Sequence, residues 1–141
     1  MTEPTSEYLD RQDVSDLLIR YATGIDRRDW ALFRTVFTPD CHCDYGEIGV
    51  WDGVDAVTEF MDVAHAGAGH LLHRITNQVI DIDGDRATAR SYVDVWVMAA
   101  DNASGVNASG FYDDEIVRTE DGWRIARRTF TSVRIAFPGQ G

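Results

Sequence analysis

Residues 14–30 of the chain read VSDLLIRYATGIDRRDW, and the pattern of apolar side chains breaks after the glycine. From Val14 to Ile25, apolar side chains recur at spacings of three and four, which is typical of one face of an amphipathic helix. These side chains are Val14, Leu17, Leu18, Tyr21 and Ile25. The spacing predicts a first helix over residues 11–25, preceded by a polar leader at residues 1–10.

Two further helices are predicted before residue 70. Asp29 is placed to cap a short second helix over residues 30–37, which Thr38-Pro39-Asp40 ends. Residues 41–51 alternate around two glycines and predict a small hairpin or a pair of short strands. Apolar residues at helical spacing then predict a third helix over residues 54–66.

The second half of the chain is rich in β-branched and aromatic residues and predicts a meander of four antiparallel strands. The predicted strands are His70 to Ile82, Arg86 to Met98, Gly110 to Thr119 and Trp123 to Ala136. The sequence therefore predicts an α+β domain at residues 11–136, with a tail at 137–141. In this fold, three N-terminal helices pack in the concave face of a highly curved antiparallel sheet. Such a cone, open at one end, offers a pocket for a small apolar ligand.

Composition excludes several function classes. The 141 residues carry 24 acidic and 13 basic side chains, for a net charge of -11, which argues against nucleic acid or an anionic membrane as partner. Every basic residue is arginine, so lysine Schiff bases and a phosphate-binding P-loop lysine are excluded. No apolar run approaches the roughly 20 residues of a membrane span, and the start of the chain does not resemble a signal peptide. We expect a cytoplasmic protein.

Metal and nucleotide sites are not predicted either. Strand alternation sends Cys41 and Cys43 to one face and His42 and Asp44 to the other, so one tetrahedral site cannot use all four. A disulfide between such close cysteines would be strained. Three other histidines are irregularly spaced, and no glycine-rich phosphate loop or nucleophile elbow is present. We therefore expect chemistry without a cofactor or a metal.

Several segments, in order along the chain, resemble the SnoaL-like proteins of the nuclear-transport-factor-2-like superfamily over roughly residues 10–135. They are residues 17–21 and 24–30 with Phe33 and 37–40, then 73–77, 82–85, 110–114 and 121–125. Proteins of this shape include scytalone dehydratase, bile-acid 7α-dehydratase, a lindane dehydrochlorinase, ketosteroid isomerase, polyketide cyclases and non-catalytic modules. The resemblance implies the cone-shaped fold and does not by itself choose a reaction.

The resemblance also implies a candidate site. Dehydratases and dehydrochlorinases of this superfamily use a histidine paired with an aspartate, often with a tyrosine about one helical turn before it, and these positions fall on His73, Asp26 and Tyr21. A neutral imidazole is suited to removing a carbon-bound proton, and a carboxylate on its other nitrogen fixes the tautomer. Tyr21 and Asp26 would be about 140° apart on a continuous helix, so their meeting requires the helix to end near Gly24.

Other residues are candidates for substrate contact, each with a structural alternative. Strand alternation places Asp94 on one face of its strand and the neighbouring valines on the other face. Asp94 is either a second acid inside the cone or a group that faces solvent or a partner subunit. Arg127 either reaches the pocket or forms an ion pair on the sheet exterior. Asn77 either binds substrate or holds a bulge. Tyr45, Trp51 and Tyr112, with two phenylalanines, are plausible aromatic walls for a flat ligand.

These observations predict a cofactor-independent lyase or isomerase of the dehydratase type, acting on a small hydrophobic carbonyl compound of polycyclic or aromatic character. His73 would be the general base, Asp26 its orienting acid and Tyr21 a hydrogen-bond donor. One alternative is a non-catalytic ligand-binding or dimerisation module, and another is a polyketide cyclase, hydroxylase or epoxide hydrolase using Asp94. By resemblance, we expect a homodimer formed through the sheet.

Overall fold

A computed structural model describes residues 4–139, which form three helices and six strands. The helices are α1 (Pro4–Asp26), α2 (Trp30–Arg34) and α3 (Val54–His65). The strands are β1 (Phe37–Asp44), β2 (Val50–Asp52), β3 (Leu71–Asp83), β4 (Arg86–Met98), β5 (Gly105–Thr119) and β6 (Gly122–Ala136). Within residues 4–139 no helix combines the length and hydropathy that a membrane span needs.

The six strands form one open sheet in the order β2-β1-β6-β5-β4-β3. The predicted meander of β3, β4, β5 and β6 is antiparallel throughout, while β1 runs parallel to β6 and antiparallel to β2. Helix α1 packs mainly against β3, and α3 packs against β1 and β2. The cone-like α+β prediction is confirmed, and the sheet is mixed because of the single parallel pair.

Helix α1 begins at Pro4, so the prediction of a helix start at residue 11 was wrong, and residues 1–3 lie outside the described part of the chain. The predicted polar leader is largely helical because one of its acids is anchored to the sheet. Asp10 is buried and accepts hydrogen bonds from Arg118 Nη1 and Nη2 at 3.0 and 2.9 Å, and from Trp123 Nε1 at 3.3 Å. The predicted apolar stripe of this helix is fully buried.

The connection between α1 and α2 is tight. Asp29 caps α2 as predicted, since its carboxylate accepts a hydrogen bond from the backbone of Leu32 at 3.1 Å. A Cβ atom at Gly24 would approach Phe33 to 3.0 Å, so the absence of a side chain lets the two helices touch. This packing fixes the direction in which the last turn of α1 points.

Two predicted boundaries were wrong because strand pairing extends beyond the local sequence pattern. Residues 38–40 belong to β1 rather than to the end of a helix, because Phe37 pairs with Ile125 of β6. Strand β5 begins at Gly105 rather than at residue 110, because its first residues pair with the end of β4. In the predicted tail, the carbonyl of Pro138 accepts a hydrogen bond from Gly105 N at 3.1 Å.

Candidate active site

A cavity of about 350 Å³ opens between the helices and the concave face of the sheet. Its wall is mostly apolar and includes Ile25 of α1, Phe60 and Met61 of α3, Val95 of β4 and Phe130 of β6. The polar side chains on this wall are three tyrosines and two histidines. The site therefore has the form of a small-molecule pocket, with few and specifically placed polar groups.

His73 lies on the wall of this cavity, and Asp26, which does not line the cavity, is bonded to it. Asp26 is the last residue of α1, and its Oδ1 lies 2.7 Å from His73 Nδ1. Its other oxygen, Oδ2, accepts the backbone N–H of His73 at 3.0 Å, so β3 holds the carboxylate at two points. The His73 side chain is 5% exposed and that of Asp26 is 25% exposed. Among the described residues, His73 Nε2 has no hydrogen-bond partner, so it is free to accept a proton.

Tyr21 lies beside this pair but does not bond to it. The helix continues to Asp26, so the expectation that it ends near Gly24 was wrong. Tyr21 instead places its hydroxyl 2.7 Å from that of Tyr45, and its ring lies edge-on to the imidazole of His73, with centroids 6.3 Å apart. Tyr21 and His73 both line the cavity, while Asp26 contacts His73 from outside the cavity lining.

Three buried tyrosines line one end of the cavity: Tyr21, Tyr45 and Tyr112. Burial raises the pKa of each phenol well above its usual value, because the charged form would lose its hydration. At neutral pH all three are therefore protonated. The protonated hydroxyls are able to donate hydrogen bonds and are unsuited to act as bases.

This burial predicts a specific response to alkaline pH. Because the pKa of these phenols is raised on folding, their stabilising effect is complete below the unfolded-state pKa of about 10 and is lost as pH rises above it. We expect the absorbance step that accompanies alkaline unfolding to correspond to three tyrosinates. A titration of tyrosinate absorbance alongside circular dichroism measures this, and Tyr112→Phe should reduce the step to two. Ionisation of all tyrosines before unfolding would contradict it.

A buried ion pair beneath the tyrosines was missed in the sequence. Arg128 Nε and Nη2 donate to Asp114 Oδ1 and Oδ2 at 2.7 and 2.9 Å, and both side chains are 1% exposed or less. Burial disfavours the charge on Arg128, but the Asp114 carboxylate together with Tyr45 and Tyr112 outweighs this effect and keeps the pKa of the guanidinium well above its usual range. The guanidinium carbon lies 4.3 Å from the ring centroid of Tyr21 and 3.8 Å from that of Tyr112.

Arg127, a candidate for substrate contact whose alternative was an exterior ion pair, lies on the outer side of the sheet, so its assignment to substrate binding was wrong. Its Nε is 3.4 Å from Glu115, and both side chains are exposed. The alternation predicted from Trp123 and Ile125 fails because the register shifts by a residue where β5 pairs with β6. This bulge turns Arg128 inward and Arg127 outward.

Asp94 and Asn77 are also outside the cavity, so their assignment to substrate binding was wrong. Asp94 lies on the outer face of β4, where it accepts hydrogen bonds from Arg74 Nη1, Asn107 Nδ2 and Ser109 Oγ at 3.0 to 3.1 Å. The neighbouring valines take the cavity side, as strand alternation requires. Asn77 is exposed at the irregularity of β3 with a φ of 50°, which is the bulge alternative.

Of the remaining aromatic candidates for substrate contact, two lie on the cavity wall and one lies behind it. Tyr45 and Tyr112 line the cavity. Trp51 is behind the wall, with its ring centroid 4.4 Å from that of Phe60 and 5.3 Å from that of Tyr45. It therefore supports two wall residues and does not itself face the ligand space.

A second imidazole, His65 at the end of α3, also reaches the cavity. Its Nδ1 lies 2.6 Å from the carbonyl oxygen of Met61, and burial lowers its pKa, so the ring is neutral at neutral pH. In the sequence, His65 was a candidate only as one of the three irregularly spaced histidines weighed as metal ligands. Across residues 4–139, no group of three or more His, Cys, Asp or Glu side chains has an arrangement suited to a metal ion. Cys41 and Cys43 are free thiols in the core.

Comparison with known proteins places this arrangement in a family. Residues 6–129 match the model of the SnoaL-like domain. The chain belongs to the SnoaL-like family. The resemblance identified in the sequence is therefore confirmed over most of the chain.

Members of the SnoaL-like family and its fold relatives carry different names. The uncharacterised protein Rv2910c of Mycobacterium tuberculosis is 34% identical over 128 residues, covering 89% of this chain and 87% of its own. A Novosphingobium aromaticivorans protein, provisionally named an aromatic ring hydroxylase, is 31% identical with a TM-score of 0.85, covering 92% of this chain and 94% of its own. The hexachlorocyclohexane dehydrochlorinase LinA type 2 has a TM-score of 0.84 at 15% identity, over 93% and 90% of the two chains. This last likeness shows the shared fold.

Proposed function

We propose that this SnoaL-like protein is a cofactor-independent lyase or isomerase in which His73 is the general base. The observation that carries the proposal is the hydrogen bond between Asp26 and His73 Nδ1 at the cavity wall. That bond assigns the proton of the neutral ring to Nδ1 and leaves the lone pair of Nε2 available for a substrate. Asp26 then stabilises the imidazolium that forms.

The proposed reaction is removal of a proton next to a carbonyl group, followed by loss of a β-hydroxyl. His73 Nε2 takes the α-proton, and the C–H electron pair moves to the carbonyl oxygen to give an enolate. The enolate then re-forms the carbonyl and a carbon–carbon double bond, and the imidazolium gives its proton to the departing hydroxyl, which leaves as water. Tyr21 donates a hydrogen bond to the oxygen that gains charge.

The wall of the cavity supports a small hydrophobic carbonyl compound of polycyclic or aromatic character as substrate. Aromatic side chains surround the space, among them Phe60, Tyr112 and Phe130. Among the described residues no arginine lines this cavity, and the chain has no lysine, so an anionic substrate group would find no cationic partner there. The fold likeness to a dehydrochlorinase supports elimination as the reaction class.

A substrate panel tests the proposal. Racemic β-hydroxy-ketones with one to three rings are incubated with the protein in D₂O and followed by NMR. We expect exchange of the α-proton and formation of the unsaturated ketone for at least one compound. Ala108→Phe, which adds bulk to the cavity from β5 and leaves Asp26 and His73 in place, is the matched control and should abolish both signals. Absence of exchange and elimination across the panel would favour a non-catalytic binding module.

A second candidate function is hydroxylation of an aromatic ring, and the name of the 31% identical neighbour favours it. In that reaction His73 would remove the proton of a phenol, one atom of dioxygen would enter the ring, and an external two-electron reductant would convert the other oxygen atom to water. Consumption of dioxygen with phenolic compounds distinguishes this candidate from elimination, which consumes none. The alternative that uses Asp94 has no support, since that side chain lies on the outer face of the sheet. A homodimer through that face stays a prediction.

A further inference from the structure

Arg128 is a charged group in the core with one nitrogen left unsatisfied. Its side chain is 1% exposed, and two of its nitrogens bind Asp114. The third, Nη1, is buried without a hydrogen-bond partner. A buried donor without an acceptor is costly, and buried ion pairs are weak contributors to stability compared with apolar side chains of similar size. Stability alone is therefore a poor explanation for this group.

The surroundings of Arg128 connect it to the cavity. Its guanidinium lies against the ring faces of Tyr21 and Tyr112, at 4.3 and 3.8 Å from their centroids. These are distances at which a cation interacts with an aromatic ring, and the interaction is strengthened where water is excluded. Both tyrosines line the cavity, and the hydroxyl of Tyr21 is bonded to that of Tyr45. One layer of aromatic rings separates the positive charge from the ligand space.

We infer that Arg128 is a positioning residue that stabilises negative charge on an oxygen bound at the Tyr21–Tyr45 hydroxyl pair. This end of the cavity would then be an anion-stabilising subsite for the oxygen of an enolate or a phenolate. The inference deepens the proposed function and rests on it, because the enolate is the species that proton removal creates. The substrate enters neutral and becomes charged only where the protein supports the charge.

The other charged groups near the cavity make such a subsite necessary. The chain has a net charge of -11, and the carboxylate of Asp26 is bonded to His73 of the cavity wall, so both disfavour an anion inside the cavity. Asp114 lies beyond Arg128 and pairs with it, which orients the pair with its positive end toward the tyrosine rings. In a water-excluded site such an oriented dipole acts without the cost of reorienting solvent.

Binding of 4-nitrophenol tests the inference without any turnover, since the visible absorbance of the phenolate reports its ionisation when bound. The variant is Arg128→Met combined with Asp114→Val, which removes the pair without stranding a charge. We expect the preference of the protein for phenolate over phenol to fall by about tenfold or more in this double variant. The methyl ether 4-nitroanisole cannot ionise and should bind both proteins equally.

The variant Tyr21→Phe is a second test, because it keeps Arg128 and removes one hydroxyl of the subsite. This variant should also show a reduced preference for phenolate over phenol. Equal phenolate preference in the wild type and the double variant would overturn the inference, and so would an unchanged preference in Tyr21→Phe. A phenolate effect combined with no reaction across the hydroxy-ketone panel would instead refute the proposed function and leave the subsite standing.

Discussion

Replacing His73 with glutamine lowers kcat for the proposed elimination by about 10²- to 10⁴-fold, the usual contribution of a general base. Glutamine fills much of the same space and has no nitrogen lone pair that can take a proton at neutral pH. The fold should survive, because the backbone N–H of residue 73 still donates to Asp26 Oδ2, as it does at 3.0 Å in the wild type. Steady-state kinetics on the substrate found in the panel, with circular dichroism for folding, measure the effect.

The chain offers a matched control in a second His–Asp pair. His42 Nδ1 lies 2.5 Å from Asp52 Oδ1 at the edge of the sheet, and the Asp52 side chain is 84% exposed. His42→Gln removes an imidazole with the same kind of partner from a place outside the cavity, so kcat should not change. Equal losses in both variants, or full activity in His73→Gln, would exclude His73 as the base.

Asp26 has an orienting role in this scheme, and its replacement should separate orientation from proton transfer. Asn in place of Asp26 can still accept the backbone N–H of residue 73, but it no longer stabilises an imidazolium. The rate should therefore fall while binding of a neutral ligand stays the same. This split between kcat and affinity would not follow from a merely structural aspartate.

The sequence predicted the parts of the fold that depend on local periodicity. The stripe from Val14 to Ile25 and the strands joined by tight turns each follow from spacing and turn residues within a few positions. The parallel pairing of β1 with β6 was not predicted, because the two strands are far apart in sequence and no local pattern records their contact. The same pairing moved the boundary at residues 38–40.

The contact between Asp26 and His73 is one that the family resemblance implied, whereas the inward position of Arg128 depends on a sheet irregularity. The catalytic role of the Asp26–His73 pair stays a prediction. Arg128 was missed because strict alternation from Ile125 places it outside. A signal was present in the sequence, since Ile125 and Phe130 are both apolar at an odd spacing, which a regular strand cannot bury on one side. Two apolar residues in conflict with alternation predict a bulge between them.

The second large expected effect is on the free energy of unfolding and concerns the buried ion pair between Arg128 and Asp114. Arg128→Met alone should lower the free energy of unfolding by about 3–5 kcal/mol, because it leaves the carboxylate of Asp114 buried without a partner. That loss is a large part of the roughly 5–15 kcal/mol that holds a typical domain folded. Urea unfolding followed by circular dichroism measures it.

The double variant Arg128→Met/Asp114→Val should recover most of this loss, since apolar side chains replace both charges and no donor is left unsatisfied. The matched surface control is Arg90→Met. Arg90 binds Asp113 with bonds of 2.8 and 2.9 Å and lies 4.4 Å from the ring of Phe111, but both members of its ion pair are exposed. Its removal should change stability little.

If the double variant stays as unstable as Arg128→Met, the ion pair is a structural requirement of the core. If the stability returns while phenolate binding remains weak, the charge at Arg128 serves the cavity and not the fold.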